Sequence, residues 1–129
     1  MSNVEHNAEL VRRFIQALDT NELAVMGEIC TSAVAEDWRE GINNGQPFSD
    51  HHLEIEQIVA DPENVMIVLG TRGQLVGEFH GIPPAGKSFT NRGAVYFRIE
   101  QNRISVVEPY FDDLHIVIDQ LGATLTPPS

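Results

Sequence analysis

Three polar side chains at alternate positions, Glu108, Tyr110 and Asp112, stand at the end of a β-forming run that starts at Arg103. Period-two spacing puts such residues on one face of a strand. If that face lines a pocket, the pocket holds two carboxylates and a phenol, which is a sufficient set for proton transfer. An aspartate removed from water has its pKa raised toward neutrality, and a neighbouring carboxylate raises it further. Such an acid can take a proton from an acidic C–H or return one to a developing enolate. A phenol beside it can donate a hydrogen bond to a substrate carbonyl. Asp112 also has a plainer use, since Asp is a strong N-cap, although Asp113, directly before Leu114, is the better placed for that. From spacing alone Asp112 reads equally as a site residue and as part of a solvated turn. Glu108 and Tyr110 read alternatively as rim residues of an edge strand.

Other residues add to this set or are set apart from it. Asn91 shares strand parity with Val95 and Phe97, which look core-facing, so it is a candidate polar group for the same pocket; its alternative is an ordinary strand-end residue. Trp38, the single tryptophan, reads as core or as an aromatic wall closing the pocket. His51 and His52 are adjacent and point to opposite faces of a strand. Glu78 and His80 can share a face, but two ligands do not make a metal site, so no metal is expected. Cys30 is the only cysteine, which rules out an intrachain disulfide and a cysteine metal cluster and fits a reducing cytoplasm. No Gly-x-Ser-x-Gly elbow, phosphate loop or dinucleotide fingerprint occurs.

The elements that must position these residues follow from periodicity. Residues 4 to 18 carry an apolar stripe (Val4, Leu10 or Val11, Phe14, Ile15, Leu18) with Glu9, Arg12, Arg13 and Gln16 opposite, the pattern of an amphipathic helix. Thr20 or Asn21 can cap a second helix through Leu23, Val25, Met26 and Ile29, ending near Cys30. The turn-rich run from Gly41 to Pro47 reads as a loop. Beyond residue 51 the period changes to two. Leu53, Ile55, Gln57 and Val59 alternate with Glu54, Glu56 and Ile58, and Asp61-Pro62-Glu63-Asn64 turns the chain. Val65 to Val76 forms a long strand in which Gly70, Gly73 and Gly77 suggest curvature or a bulge. Phe89 to Ile99 and Arg103 to Phe111 follow, joined at Gln101-Asn102, where Asn102 suits a left-handed hairpin turn. Residues 114 to 121 fit a short helix stopped by Gly122, or a strand. Helices first and antiparallel strands after indicate an α+β fold with helices on one face of a bent sheet, and such a cone encloses a cavity.

At 129 residues the chain is one domain, residues 1–129, with frayed ends at 1–3 and 124–129. Its formal charge of −11 argues against nucleic acid or an anionic membrane as partner, because both require a positive surface. No stretch approaches a membrane span, and the first six residues do not read as a secretory signal.

The block Gly77-Glu78-Phe79-His80-Gly81-Ile82-Pro83-Pro84-Ala85-Gly86-Lys87 resembles the Gly-Glu-Phe-x-Gly-Ile-Pro-Pro-Thr-Gly-Lys turn of the SnoaL-like polyketide cyclase family. Phe48-Ser49-Asp50, Phe97-Arg98-Ile99-Glu100, and Tyr110-Phe111-Asp112 with Gln120-Leu121-Gly122 are similar to further family segments. The match runs over residues 8 to 123. It implies the NTF2-like α+β cone and an acid/base enzyme without metal or cofactor. It also implies that Asp112 falls at the position of an aspartate serving intramolecular aldol closure. Leu75 stands where the family often has His, and Glu108 where it often has Trp, so a flat aromatic substrate loses expected contacts.

The expectation is therefore a cofactor-free enzyme for a small hydrophobic carbonyl compound. Asp112 would be general acid/base, with Tyr110, Glu108, Trp38 and Asn91 as substrate-binding residues. Epoxide hydrolysis or assistance to hydroxylation is the enzymatic alternative. A small-molecule-binding or interaction module is the non-enzymatic one, because fold does not fix function. A homodimer through the outer sheet face, with Tyr96, Val106 and Met66 in the contact, is also expected.

Overall fold

The computed structural model describes residues 3–43, 48–77, 88–111 and 120. Helix α1 (Asn3–Thr20) leads into a single 3-10 turn (Leu23–Val25), a short α2 (Met26–Ile29) and α3 (Ser32–Asn43). Four strands follow: β1 (Phe48–Ala60), β2 (Asn64–Leu75), β3 (Ser88–Glu100) and β4 (Arg103–Phe111). They form one antiparallel sheet in the order β1-β2-β3-β4. The α+β class and the helices-then-strands order are as expected.

The first helix buries the stripe that includes Leu10, Val11, Phe14 and Ile15. It does not hand over to a capped second helix. Asn21 has φ 59° and the Glu22 N–H donates to the Ala17 carbonyl at 2.9 Å, so Asn21 is the left-handed residue that terminates α1. Thr20 is equally local, donating its hydroxyl back to the Gln16 carbonyl. The loop expected from Gly41 begins later, because α3 continues to Asn43. A late glycine costs a helix about 1 kcal/mol, and α3 offsets this by packing Val34, Ala35 and Trp38 against the core.

The glycine-rich strand β2 pairs with β3 without a register shift from Asn64 to Gln74. The irregularities lie instead on β1, between Ser49 and His52 and between Ile55 and Gln57, and on β4, where Ser105 is extra opposite Arg98–Ile99. At the second shift Glu56 is an extra residue. Before it Leu53 and Ile55 pair with Thr71 and Leu69, and after it Ile58 and Ala60 pair with Ile67 and Val65. The bulge therefore swaps the parity of the strand: Ile58 turns toward the core, and Val59 turns outward, 71% exposed.

Gln101 and Asn102 both have positive φ, 50° and 62°, as a two-residue hairpin requires. At the β1–β2 turn, Asp61 Oδ1 accepts from the Glu63 and Asn64 amides at 2.8 and 2.7 Å. These bonds hold its carboxyl below the usual carboxylate range. The core lies between the helices and the odd-numbered side chains of β2 and β3. The ring of Phe14 meets Trp38 and Phe97 edge-on, with centroids 5.3 and 5.4 Å apart. Among the described residues no helix is long and apolar enough to cross a membrane.

Candidate functional site

Cross-strand partners share a face of the sheet, so the register lays the helix-facing side out in rows. One end is entirely apolar: Ala60, Val65, Phe97 and Val107 form one row, and Ile58, Ile67, Val95 and Pro109 the next. The following row, Ile55, Leu69, Gly93 and Phe111, contains a close approach. A Cβ at Gly93 would stand 2.5 Å from Phe111 Cδ1 and 2.6 Å from the Tyr110 carbonyl oxygen, so only glycine fits beneath that ring. The next row, Leu53, Thr71 and Asn91, is polar at Thr71 and Asn91, and beyond it Gly73 pairs with the buried Phe89.

Asn91 is where the sequence placed it, on the face shared by Val95 and Phe97, and it is 6% exposed. Its Oδ1 accepts from the Arg92 amide at 3.0 Å, and the Thr71 hydroxyl reaches to 3.5 Å of its carbonyl oxygen. Trp38 is half-buried against Phe14 in the helix–sheet packing. Glu108 and Tyr110 occupy the other side. They pair with Tyr96 and Ala94, both out of phase with buried Val95 and Phe97, and Tyr110 is 60% exposed. Its hydroxyl donates to Glu108 Oε2 at 2.8 Å, which holds the phenol above its ordinary pKa. The expectation that this pair faces a cavity is thus corrected: alternation gave two candidate faces, and the pairing with β3 selects the outer one. The structure brings Asn91, Phe111 and Trp38 to the helix side of the sheet and separates them from Glu108 and Tyr110. Asp112 lies outside the described residues, as do Asp113, Glu78 and His80.

A second concavity was not anticipated. An open groove of about 670 Å³ runs between α1 (Arg12, Ile15, Gln16, Asp19) and β1 from His52 to Ile58. The Leu53 amide donates to Asp19 Oδ1 at 2.8 Å, His52 Nδ1 lies 3.3 Å from the same oxygen, and His51 Nε2 is 3.0 Å from the Leu18 carbonyl. These contacts tie the end of α1 to β1. Arg12, Gln16 and Asp19, spaced four and three apart on the polar side of α1, were the sequence signal for it. Most of its charges are already answered nearby: Arg12 pairs with Glu9, and Glu56 with Arg92.

Cys30 is buried, and desolvation pushes its thiol up to about 11 against the opposing pull of Arg103. A thiol held protonated is a poor nucleophile. Arg103 donates to the Gly27 and Cys30 carbonyls at 3.0 and 3.2 Å, a structural clamp at the end of α2. Among the described residues no three His, Cys, Asp or Glu side chains gather in a way that could hold a metal ion.

Residues 32–120 match the family model for SnoaL-like polyketide cyclases, and the chain belongs to that family. No curated protein sequence matches it significantly. Among solved structures it resembles a SnoaL-like polyketide cyclase from Agrobacterium tumefaciens, with a TM-score of 0.78 at 18% identity over 89% of this chain and 97% of that one. IdmH from Streptomyces antibioticus superposes with a TM-score of 0.76 at 20% identity, over 90% and 98%. An LEH-like epoxide hydrolase from Mycobacterium tuberculosis gives 0.70 at 13%, over 93% and 92%. Identities this low establish the shared α+β cone, not a shared reaction.

Proposed function

We propose that this SnoaL-family chain is a cofactor-free acid/base enzyme acting on a small hydrophobic carbonyl compound by aldol ring closure or by isomerisation through an enolate. The observation that carries this reading is a polar pair, Thr71 and Asn91, set in an otherwise apolar helix-facing surface between Leu69 and the buried Phe89. A hydrophobic body and one carbonyl end suit such a surface. Family membership supports the enzyme class.

In the proposed step a carboxylate takes the proton from a carbon next to the substrate carbonyl, and the electron pair moves to give an enolate. The enolate carbon then bonds to a second carbonyl carbon of the same molecule, and the proton returns to the resulting alkoxide. No electrons enter or leave, so no redox partner is required. The polar row of the face, with the buried Asn91, is where the carbonyl oxygen would be oriented. The carboxylate is Asp112, which the resemblance singles out. Odd-numbered residues of β4 point inward from Val107 to Phe111, and Asp113 is the next odd-numbered residue, so the test treats both aspartates.

The test is an NMR titration of the Asp112 and Asp113 side-chain carboxyls, assigned with Asp112→Asn and Asp113→Asn. The expected result is a pKa well above the reference of about 3.9 for Asp112. Elevation at Asp113 alone transfers the role to that residue. Values at or below the reference for both overturn the mechanism and leave a binding module.

The active species in this reading is a homodimer. On the outer face Val59, Met66 and Tyr110 are exposed, with Tyr96 and Val106 half-buried among them. Four strands about 4.8 Å apart and about ten residues long present on the order of 600 Å², approaching the roughly 800 Å² per partner of a stable interface. A second copy, related by a two-fold axis, can cover these apolar side chains and set the Arg92 and Arg98 of one protomer near the Glu54 and Glu108 of the other. Sedimentation at micromolar concentration should show the dimer, and monomer alone removes this part of the proposal.

A further inference from the structure

Gln120 is tied to a residue 30 positions away by two hydrogen bonds. Its Oε1 accepts from the Thr90 amide at 2.7 Å, and its Nε2 donates to the Thr90 carbonyl at 2.5 Å. Thr90 lies on β3 beyond the last described β4 pair, Gly93 with Phe111. Its N–H and C=O both point to the side that β4 covers further along the strand. A carboxamide is the side-chain group that places a donor and an acceptor in one plane, as a peptide does. Gln120 therefore takes the place of a neighbouring strand at Thr90.

The next outward amide along the same edge belongs to Arg92, and it is met by Asn91 Oδ1. Two successive edge amides, Thr90 and Arg92, are thus closed by side-chain amide oxygens. The peptide linking Thr90 to Asn91 carries the carbonyl that Gln120 holds. From the other side, β2 presents Thr71 to the Asn91 carbonyl. The orientation of the buried Asn91 side chain thus depends on an edge that Gln120 fixes.

We propose that Gln120 is a positioning residue for the helix-facing site, holding the Thr90–Asn91 peptide so that the Asn91 carboxamide keeps its place in the polar row of that face. This rests on the reading of that face as the site. It gives a role to Gln120, the first residue of the Gln-Leu-Gly segment.

The test uses Gln120→Met, which keeps the length and removes both bonds, and Gln120→Glu, which keeps an acceptor for the Thr90 amide. Amide exchange and the Asn91 side-chain NH₂ signals are followed by NMR, with 1-tetralone, a bicyclic aromatic ketone, as binding probe. In Gln120→Met the Thr90 amide should exchange about tenfold faster or more, the Asn91 signals should shift, and 1-tetralone should bind several-fold more weakly. Gln120→Glu should recover most of the Thr90 protection. Unchanged Thr90 exchange and Asn91 signals in Gln120→Met overturn the proposal, whatever the probe does. A uniform rise in exchange across the whole sheet also overturns it, since that marks a general stability role. Asn91→Ala separates the two ideas. If it leaves 1-tetralone binding intact while Gln120→Met still moves Thr90 and Asn91, the site reading falls and the positional role of Gln120 stands.

Discussion

Two asparagines are the buried polar side chains among the described residues, and they sit at opposite ends of the molecule. Asn7, 3% exposed, comes from α1 and donates to the Pro62 carbonyl at 2.8 Å, with the Asp61 carbonyl at 3.4 Å. It staples the first helix to a turn 55 residues away. Asn91, from β3, accepts from its own neighbour Arg92. Thr71 reaches its carbonyl oxygen, and the edge beside it is closed by Gln120. A buried amide spent on distant backbone is a structural device, and the residues around it form an apolar end filled by Phe97, Ile104 and Val65. Asn91 stands with Thr71 in a polar row of the helix-facing surface, where a ligand carbonyl would meet an amide. Burial alone would have ranked the two alike; their places in the fold distinguish them.

The contrast predicts that damage at the filled end appears in stability and damage at the polar row in binding. Phe97→Ala should cost about 3–5 kcal/mol in chemical denaturation, since it empties a fully buried position. A cost under about 1 kcal/mol would mean that this end is not the tightly packed one. Next in size is the effect of pH on Cys30. The folded thiol holds its proton to about 11, against an ordinary value of 9.0, whereas the unfolded thiol releases it earlier. The unfolded chain thus binds fewer protons between those values, so stability falls as pH rises through this window, by at most about 3 kcal/mol. Cys30→Ala should remove that part of the slope in thermal melts, and an unchanged slope would refute it.

The smallest effects are the most diagnostic. Asn7→Ala should cost about 1 kcal/mol and leave 1-tetralone affinity unchanged. Asn91→Ala should change stability by less than that and weaken the probe several-fold. The reverse pattern would exchange the roles assigned to the two ends.

Much of this was legible in the residues. The stripe of α1, the four strands and the Gln101–Asn102 hairpin followed from local pattern, and the parity shared by Asn91, Val95 and Phe97 put Asn91 on the inner face. The face of β4 was not legible, because Val106 and Val107 are both apolar and alternation reads equally well either way. The tie is broken by the pairing of Phe97 with Val107, which is a long-range fact. The role of Gln120 was hidden for the same reason, its partner being 30 residues distant. Periodicity also failed on β1, where one extra residue inverts the second half of the strand.

That extra residue has a consequence for how the chain tolerates changes of length. Removing Glu56 from the sequence leaves Leu53, Ile55, Ile58 and Ala60 in uninterrupted alternation with Glu54, Gln57 and Val59, each already facing the side it now faces. A one-residue deletion between His52 and Ile55 would turn core side chains out into water. At position 56 it would only straighten the strand and release Arg92 from its ion pair with Glu56. The curvature of this edge, and with it the width of the groove beside α1, is therefore adjustable by a single codon without rewriting the core.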